Sequence, residues 1–284
     1  VACDLCGIRK IDMSRIRARV AADVPALASE RLAFACSHSH SSVENLYLFG
    51  NSPDDPFILV MDEKIAQAVV DAHSDLEPVR AALGTGAVEL NHNRRVLDAD
   101  GLATNAWEYE EGVTTGAVDP ELAVLKLVAA TGRAKAVLFR YTAHSLTLGP
   151  GNQLYTADYP GRARAAVEAA LPGCTALFLN GAAGNIHPRK CMRDDFTAME
   201  MIGQALGQAV VDLADAAIEL AEPRLRWSSD VLTFENRVEP ALQVDVELSC
   251  LALGSVVLGF VPGEVFVEFQ LRFRHDVAPA HGIF

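Results

Sequence analysis

The sequence predicts one mixed α/β domain in which β-sheets are flanked by helices. Three observations support this fold class. Short apolar runs rich in β-branched residues alternate with stretches whose apolar residues recur at helical spacing. Two apolar runs are joined by a short glycine-centred turn, which is typical of antiparallel strands. The 284 residues, half of them apolar, can bury one large core or two modest ones, and no repeat, low-complexity tract or linker divides 1–284.

In the first half of the chain, strands and helices are predicted in alternation. The opening "VACDLCGIRKID" is typical of a buried strand that leads into a helix over 12–24. The run "RLAFACS" (31–37) predicts a buried strand. A helix is predicted from Pro56, where Ile58, Met61, Ile65 and Val69 form an apolar stripe. The segment "GAVELNHNRRV" (86–96) is expected to begin as a strand and to end in a polar corner.

The second half begins with a predicted hairpin over 122–142, whose arms flank the turn "ATGRA". A helix is predicted to begin near Asp158 and Pro160, and "CTALFLNGAAGNIHP" predicts a strand followed by a glycine-rich turn. The remaining elements are the longest predicted helix (194–220), strands near 224–235, 243–252 and 255–261, a helix opened by "PGEVFVEF", and a strand beginning in "PAHGIF". The most polar stretch, residues 98–120, predicts a flexible loop over a site rather than a domain boundary.

Composition excludes some classes of partner. The net charge is -13, so the basic surface of a nucleic-acid-binding protein is absent and strong attraction to anionic membranes is not expected. No apolar run approaches the roughly 18 residues of a membrane span, and no secretory leader opens the chain. Both ends resemble interrupted elements, so we expect residues to be missing there, and a leader could have preceded Val1. The composition names no substrate; we expect a small-molecule substrate, and the sequence is compatible with a homo-oligomer.

The six cysteines mostly lie in apolar, strand-like runs, where a free thiol behaves as a small hydrophobic side chain; they are Cys3, Cys6, Cys36, Cys174, Cys191 and Cys250. This placement predicts core packing and a reducing, cytoplasmic compartment rather than a disulfide framework. Cys3-x-x-Cys6 is also compatible with zinc or redox chemistry, but no second Cys-x-x-Cys and no Gly-Pro context accompany it.

Polar groups that suit a metal ion follow four of the predicted strands. His38 and His40 follow "LAFACS", His144 follows "LFRYTA", His187 ends "NGAAGNIH", and Glu264 follows the strand near 255–261. In α/β folds such strand ends gather at one edge of the sheet, and two imidazoles with one carboxylate form a catalytic zinc shell. Each residue alone also has a plainer interpretation, because a histidine at a strand end often caps and a glutamate favours a helix N-terminus.

Five segments, which together span nearly the whole chain, carry a recognisable pattern: "ACSHSHSS" (35–42), "NHNRRV" (91–96), "TAHSLTLGPGNQLYTADYPG" (142–161), "FLNGAAGNIHP" (178–188) and "FVPGEVFVEF" (260–269). They resemble, in the same order, segments of the neutral (non-lysosomal) ceramidases and their bacterial ceramidase-like relatives. The resemblance implies that 1–284 is one ceramidase-like catalytic domain, without the family's C-terminal immunoglobulin-like domain.

The resemblance also implies a role for particular residues. His38, His144 and Glu264 would ligate one zinc ion. His40 and Arg94 would polarise the substrate carbonyl. The substrate-binding groups would be Asn93, which precedes Arg94, and the glycine-rich turn from Gly181 to Asn185, through its backbone N–H groups. The family's further tyrosine ligand has no counterpart before Phe284, so either it lies in a missing C-terminal portion or the protein lacks it.

Two departures from the family pattern bear on the substrate. His187 stands where ceramidases carry a serine that takes part in amide hydrolysis, and Ser42-Val43 replace the usual Gly-Pro. His187 could act as a general base, bind a second metal or contact a polar substrate. The resemblance therefore implies the metal chemistry without implying ceramide as substrate.

These observations predict a zinc-dependent hydrolase that cleaves an amide, or an ester, of a small molecule through metal-activated water, with His187 moving a proton to the leaving group. His/Glu shells also accept iron, manganese or cobalt. A metal-dependent lyase or isomerase on the same scaffold and a non-catalytic ligand-binding protein remain alternatives. A phosphate-binding loop, a Gly-x-Ser-x-Gly elbow and a His-Glu-x-x-His helix are all absent from the sequence.

Overall fold

The computed structural model describes residues 1–111, 113, 116–221 and 223–284. The α-helices in this part of the chain are α1 (Lys10–Asp23), α2 (Pro56–Ser74), α3 (Asp158–Ala170), α4 (Thr197–Asp215) and α5 (Val267–Asp276). The beginning of α2 shows why the local sequence starts a helix there. Asp55 accepts a hydrogen bond from the N–H of Phe57, and Pro56 occupies the first helical position, where a missing N–H costs nothing.

Within the described ranges, the strands form five sheets of unequal size. In chain order they are β1 (Ala2–Cys3), β2 (Ala35–Cys36), β3 (Val79–Ala87), β4 (Asn91–Asn93), β5 (Arg95–Leu97), β6 (Ala103–Asn105), β7 (Glu121–Ala129), β8 (Ala134–Tyr141), β9 (Thr175–Asn180), β10 (Ile186–Pro188), β11 (Ile218–Glu219), β12 (Leu225–Glu235), β13 (Gln243–Leu253), β14 (Val256–Phe260) and β15 (His281–Ile283). The two largest sheets have the orders β11-β3-β7-β8-β9 and β12-β13-β14-β15. Three further pairs are β1-β2, β4-β10 and β5-β6.

Strand β7 shows how the layers are built. Its residues alternate between the two faces of the five-stranded sheet, as the period of a strand requires. Leu122 and Val124 pack in a cluster that also holds residues of α3 and α4. Ala123 and Leu125 instead pack with residues of the four-stranded sheet. The sheet is therefore covered by two helices on one face and by the second sheet on the other, which explains why both sets of β7 residues are apolar.

The helices α1 and α2 form a separate pair with its own small cluster. Ile16 and Val20 of α1 pack with Ala66 and Val69 of α2. The predicted stripe of α2 is displaced, because the residues that it buries are Ile58, Asp62, Ala66 and Val69. A carboxyl group thus lies where an apolar side chain is expected.

The mixed α/β class and the hairpin over 122–142 are confirmed, since β7 and β8 pair antiparallel around the predicted turn. Two strands differ from the prediction. Only Ala35–Cys36 of the run 31–37 form a strand, because the partner β1 offers two paired residues. The strand placed in "GAVEL" lies earlier, at Val79–Ala87, and α4 is no longer than α2.

The predicted loop over 98–120 contains the short strand β6 and precedes β7; residues 112, 114 and 115 of that prediction lie outside the described part. Across the ranges that the structure describes, every helix is too short or too polar to cross a membrane.

Candidate metal centre

His38 follows the short β1–β2 ladder. Its backbone N–H donates to the carbonyl of Leu5, which continues the ladder past Cys36. Its backbone then takes a left-handed conformation (φ 61°), so the strand does not continue through His38 to His40. The ring Nδ1 lies 2.7 Å from the carbonyl oxygen of Cys6. A carbonyl can only accept, so Nδ1 carries a proton, and in the neutral ring Nε2 keeps its lone pair.

His144 lies three residues beyond β8 and is held in the same way. Its backbone N–H donates to the carbonyl of Ile186. Its ring Nδ1 lies 2.7 Å from the carbonyl oxygen of Ala183, in the glycine-rich turn. The Nε2 of His144 therefore also keeps a free lone pair, and the ring is buried and fixed in orientation.

Glu264 is placed by two glycines. Gly263 has a φ of 101°, a conformation that a residue with a side chain rarely adopts. Gly184 packs so closely that a Cβ there would lie 2.2 Å from the main-chain oxygen of Glu264. In addition, the N–H of Gly184 donates to the carbonyl of Val265. The glycine-rich turn thus holds the glutamate segment against the histidines.

The three predicted ligands converge. The Nε2 atoms of His38 and His144 lie 3.6 Å and 3.3 Å from the same carboxylate oxygen of Glu264, and the two ring centroids are 4.7 Å apart. These three residues, which we call the triad, present donor atoms within 4.8 Å of one another. The Glu264 side chain is 56% exposed, so the group opens to solvent on that side.

The electrostatics of the triad favour a cation. Contacts with His144, and then with His38, hold the pKa of Glu264 far below its usual range, so the carboxylate is ionised. Burial lowers the pKa of His38, but its contacts with Cys6 and Glu264 outweigh burial and raise the pKa to about 10, so in the absence of a cation the Nε2 of His38 also holds a proton at neutral pH. Burial lowers the pKa of His144. A proton on His38 and a divalent cation would therefore compete for the same groups.

His40 and Arg94 lie beside the triad, as predicted. The His40 ring centroid is 5.0 Å from that of His38 and 5.6 Å from that of His144. Burial and the neighbouring histidines lower the pKa of His40 to about 4, so the ring is neutral. The guanidinium of Arg94 donates to the carbonyl of Gly184 at 2.7 Å, which fixes a cation near Glu264.

His187 is fully buried, and its ring lies edge-on to that of His144 at a centroid distance of 5.3 Å. Trp107 stacks on its other side at 5.1 Å. Among the described residues, neither ring nitrogen of His187 has a hydrogen-bond partner. Burial, and then the charge of His144, lower the pKa of His187 to about 2, so this imidazole is neutral. Unpaired nitrogens in a buried ring are uncommon in folded proteins.

The predicted substrate-binding groups are engaged within the protein. Asn93 donates to the carbonyl of Ala117 and accepts from the N–H of Arg95. The N–H of Gly181 donates to the carbonyl of Tyr141. Asn185 accepts from the N–H of Val267 and donates to Glu268, so its side chain joins the glycine-rich turn to α5. These contacts show a structural role for all three, and substrate binding by them stays a prediction.

Sequence reasoning missed two neighbours of the site. Cys6, predicted to pack in the core, is half-buried, and its Sγ lies 3.6 Å from Nδ1 of His38. Trp107, which stacks on His187, lies in the polar stretch 98–120. A large aromatic residue within a polar stretch is the signal that could have identified it. The six cysteines are all free thiols, as predicted.

A cavity of about 410 Å³ reaches the triad. Its described walls are mostly apolar, with Met13, Phe34, Leu46 and Phe260 among them. His38, His144 and Glu264 also line it, whereas His40, Arg94 and His187 are not part of those walls.

Comparison with solved structures identifies the class of fold, which is that of the ceramidases. A crystal structure of the neutral ceramidase from Pseudomonas aeruginosa matches with a TM-score of 0.78 and 18% sequence identity, over 99% of this chain and 57% of that one. A structure of a ceramidase complexed with C2 matches with a TM-score of 0.79 and 17% identity, over 99% of this chain and 59% of that one.

These matches confirm the predicted resemblance at the level of the fold. The chain spans less than three fifths of the length of either ceramidase. No family model matches the chain, and no curated protein matches it.

Proposed function

We propose that this chain is a zinc-dependent hydrolase that cleaves an amide, or less readily an ester, of a small molecule. His38, His144 and Glu264 would hold the ion. The observation that supports this most strongly is the paired arrangement of the two histidines. Each donates Nδ1–H to a main-chain carbonyl and aims Nε2 at one oxygen of Glu264. Metal-binding histidines in proteins are oriented in this way.

The donor set fits zinc in number, chemistry and spacing. Two neutral imidazoles and one carboxylate are the protein ligands of many catalytic zinc sites, which keep one position open. Bonds of about 2.0–2.2 Å in a tetrahedral shell place neighbouring donors roughly 3.3–3.6 Å apart. The observed separations of 3.6 Å and 3.3 Å between nitrogen and oxygen agree with that spacing.

The other residues of the site supply what amide hydrolysis requires. A bound zinc ion supplies Lewis-acid chemistry, since it acidifies water and polarises a carbonyl group. Arg94 and His40 would donate hydrogen bonds to the carbonyl oxygen as it gains negative charge. His187 lies edge-on to His144 beside the triad, and we assign to it the transfer of a proton from the attacking water to the leaving nitrogen.

We further propose that residues 1–284 act as one ceramidase-like catalytic domain in the cytoplasm. The three layers around β7 share contacts on both faces of one sheet, which supports a single unit. The six free thiols support a reducing compartment.

A metal-dependent lyase or isomerase is the second candidate, favoured by His187 in place of a serine. Hydrolysis incorporates oxygen from labelled water into the product, whereas isomerisation does not, so mass spectrometry of the products distinguishes the two.

Metal analysis of three variants tests the proposed ligands. The variant His144→Ala should lose both stoichiometric zinc and activity, because a ligand is removed. The variant His187→Ala should keep zinc and lose turnover. His275→Ala is the matched control, since that side chain is 83% exposed on α5 and should change neither property. Unchanged zinc content in His144→Ala would refute the ligand set.

A further inference from the structure

We propose that Cys6, His38 and His40 form a second cation site, which takes thiophilic ions such as Cd²⁺ or Cu⁺ and excludes the ion of the triad. The argument for ion binding at this site depends only on the positions of these three side chains. The exclusion of the triad's ion rests on the proposed function, because it concerns the shared ligand His38.

The three side chains meet the geometric requirement for a common ion. The Sγ of Cys6 and one ring nitrogen from each of His38 and His40 lie within 4.8 Å of one another. The Sγ is 3.6 Å from Nδ1 of His38, and the two imidazole centroids are 5.0 Å apart. Small rotations of side chains would bring these donors to bonding distance, since His40 is exposed and Cys6 is half-buried.

The backbone holds this arrangement in place. The N–H of Cys6 donates to the hydroxyl of Ser42, two residues beyond His40. The N–H of His40 donates to the carbonyl of Ser145, next to His144. Cys6 also lines the cavity that reaches the triad, so an ion can approach the thiol from there.

The chemistry of the two donor sets differs. A thiolate with two imidazoles is a soft set, which favours thiophilic ions such as Cd²⁺ and Cu⁺ over harder cations. The triad replaces the sulfur with a carboxylate oxygen, which is a harder donor. The site that contains Cys6 is therefore selective for thiophilic ions, whereas the triad on the other side of His38 is not.

The two ions exclude each other because of His38. A neutral imidazole has one N–H and one lone pair. At present Nδ1–H donates to the carbonyl of Cys6, and Nε2 faces Glu264. If a thiophilic ion takes Nε2, the triad loses that nitrogen directly; if it takes Nδ1, the proton moves to Nε2 and blocks it. In either case the triad keeps only His144 and Glu264.

Cadmium titration of the purified chain tests the proposal. The ultraviolet sulfur-to-cadmium band reports thiolate ligation, and dialysis measures bound cadmium and released zinc. In the wild type we expect the band to rise as zinc is released one for one. Cys6→Ser and His40→Ala should bind Cd²⁺ about tenfold or more weakly. His144→Ala should retain the band although it loses zinc, and Cys250→Ser, a half-buried cysteine outside the group, should behave as wild type.

The outcomes separate this site from the proposed function. A band of the same strength in Cys6→Ser overturns the site. Cadmium and zinc bound together at one ion each overturn the exclusion. A wild-type chain that never holds zinc, but shows a band dependent on Cys6 and His40, supports this site and counts against the proposed hydrolase.

Discussion

Replacing Asp62 by asparagine should stabilise the protein at neutral pH. Asp62 lies in the middle of α2 and is only 5% exposed. Within the described residues, neither of its carboxylate oxygens has a hydrogen-bond donor. Arg15 is 3.8 Å away, and the buried carboxyl group of Asp12 also acts on it. Burial, and then Asp12, raise the pKa of Asp62 to about 6.

The magnitude follows from the difference between the folded and unfolded pKa values. An aspartate in the unfolded chain has a pKa of about 3.9, and each pKa unit corresponds to about 1.4 kcal/mol. Because the folded pKa is the higher one, the native state binds the proton more tightly. The protein therefore loses stability as the pH rises from about 4 to 6, by roughly 2–3 kcal/mol at neutral pH. Asparagine carries no charge, so the substitution also removes the repulsion between the carboxyl groups of Asp62 and Asp12.

Urea denaturation would measure this effect. The measurements should run from about pH 3.5 to about pH 7.5, a range that spans the unfolded and folded pKa values of Asp62. We expect Asp62→Asn to gain roughly 1–3 kcal/mol at the upper pH and little at the lower one. Asp54→Asn is the matched control, since that carboxylate also pairs with Arg15 but is 84% exposed. A variant that is less stable than wild type at neutral pH, or a gain that does not change with pH, would refute the reasoning.

Two further substitutions test how the centre is supported. Gly184→Ala should weaken zinc binding about 10–100-fold in a competition titration, because the added Cβ would meet the main-chain oxygen of Glu264. Gly132→Ala is the control, since Gly132 has a φ of 86° and open space around it. This control should lower stability and leave zinc affinity unchanged. Gln270→Met should lower the free energy of unfolding by roughly 2–4 kcal/mol. The buried Gln270 accepts from the N–H of Ala182 and donates to Thr142, and methionine would remove both hydrogen bonds. An equilibrium denaturation curve that matches wild type would contradict this structural role of Gln270.

Much of the fold could be predicted because local pattern and tertiary structure agree. The turn around Gly132 joins two apolar arms, and the structure pairs them as β7 and β8. The α2 stripe could not be predicted correctly, because burial of Asp62 depends on α1, which lies far away in sequence. A prediction from apolar periodicity assigns only apolar residues to the buried face of a helix, so it cannot identify a buried carboxyl group such as that of Asp62.

The candidate site also has features that the sequence could predict and features that it could not. The position of His38, His144 and Glu264 after predicted strands suggested a site, but the choice of these three residues as ligands came from the family resemblance. The strands that precede them, β2, β8 and β14, belong to three different sheets, so a shared sheet edge does not bring them together. The contact between Cys6 and His38 could not be predicted, because the residues around Cys6 resemble those around the other cysteines. Its position results from the pairing of β1 with β2, which brings two segments 32 residues apart into contact.

Anomalous diffraction at the zinc absorption edge, on crystals of the wild-type chain purified without added metal, tests the central claim most directly. We expect one peak of full occupancy, about 2.0–2.2 Å from Nε2 of His38, Nε2 of His144 and a carboxylate oxygen of Glu264. No peak at that position, in crystals where those three side chains are ordered, would contradict the account.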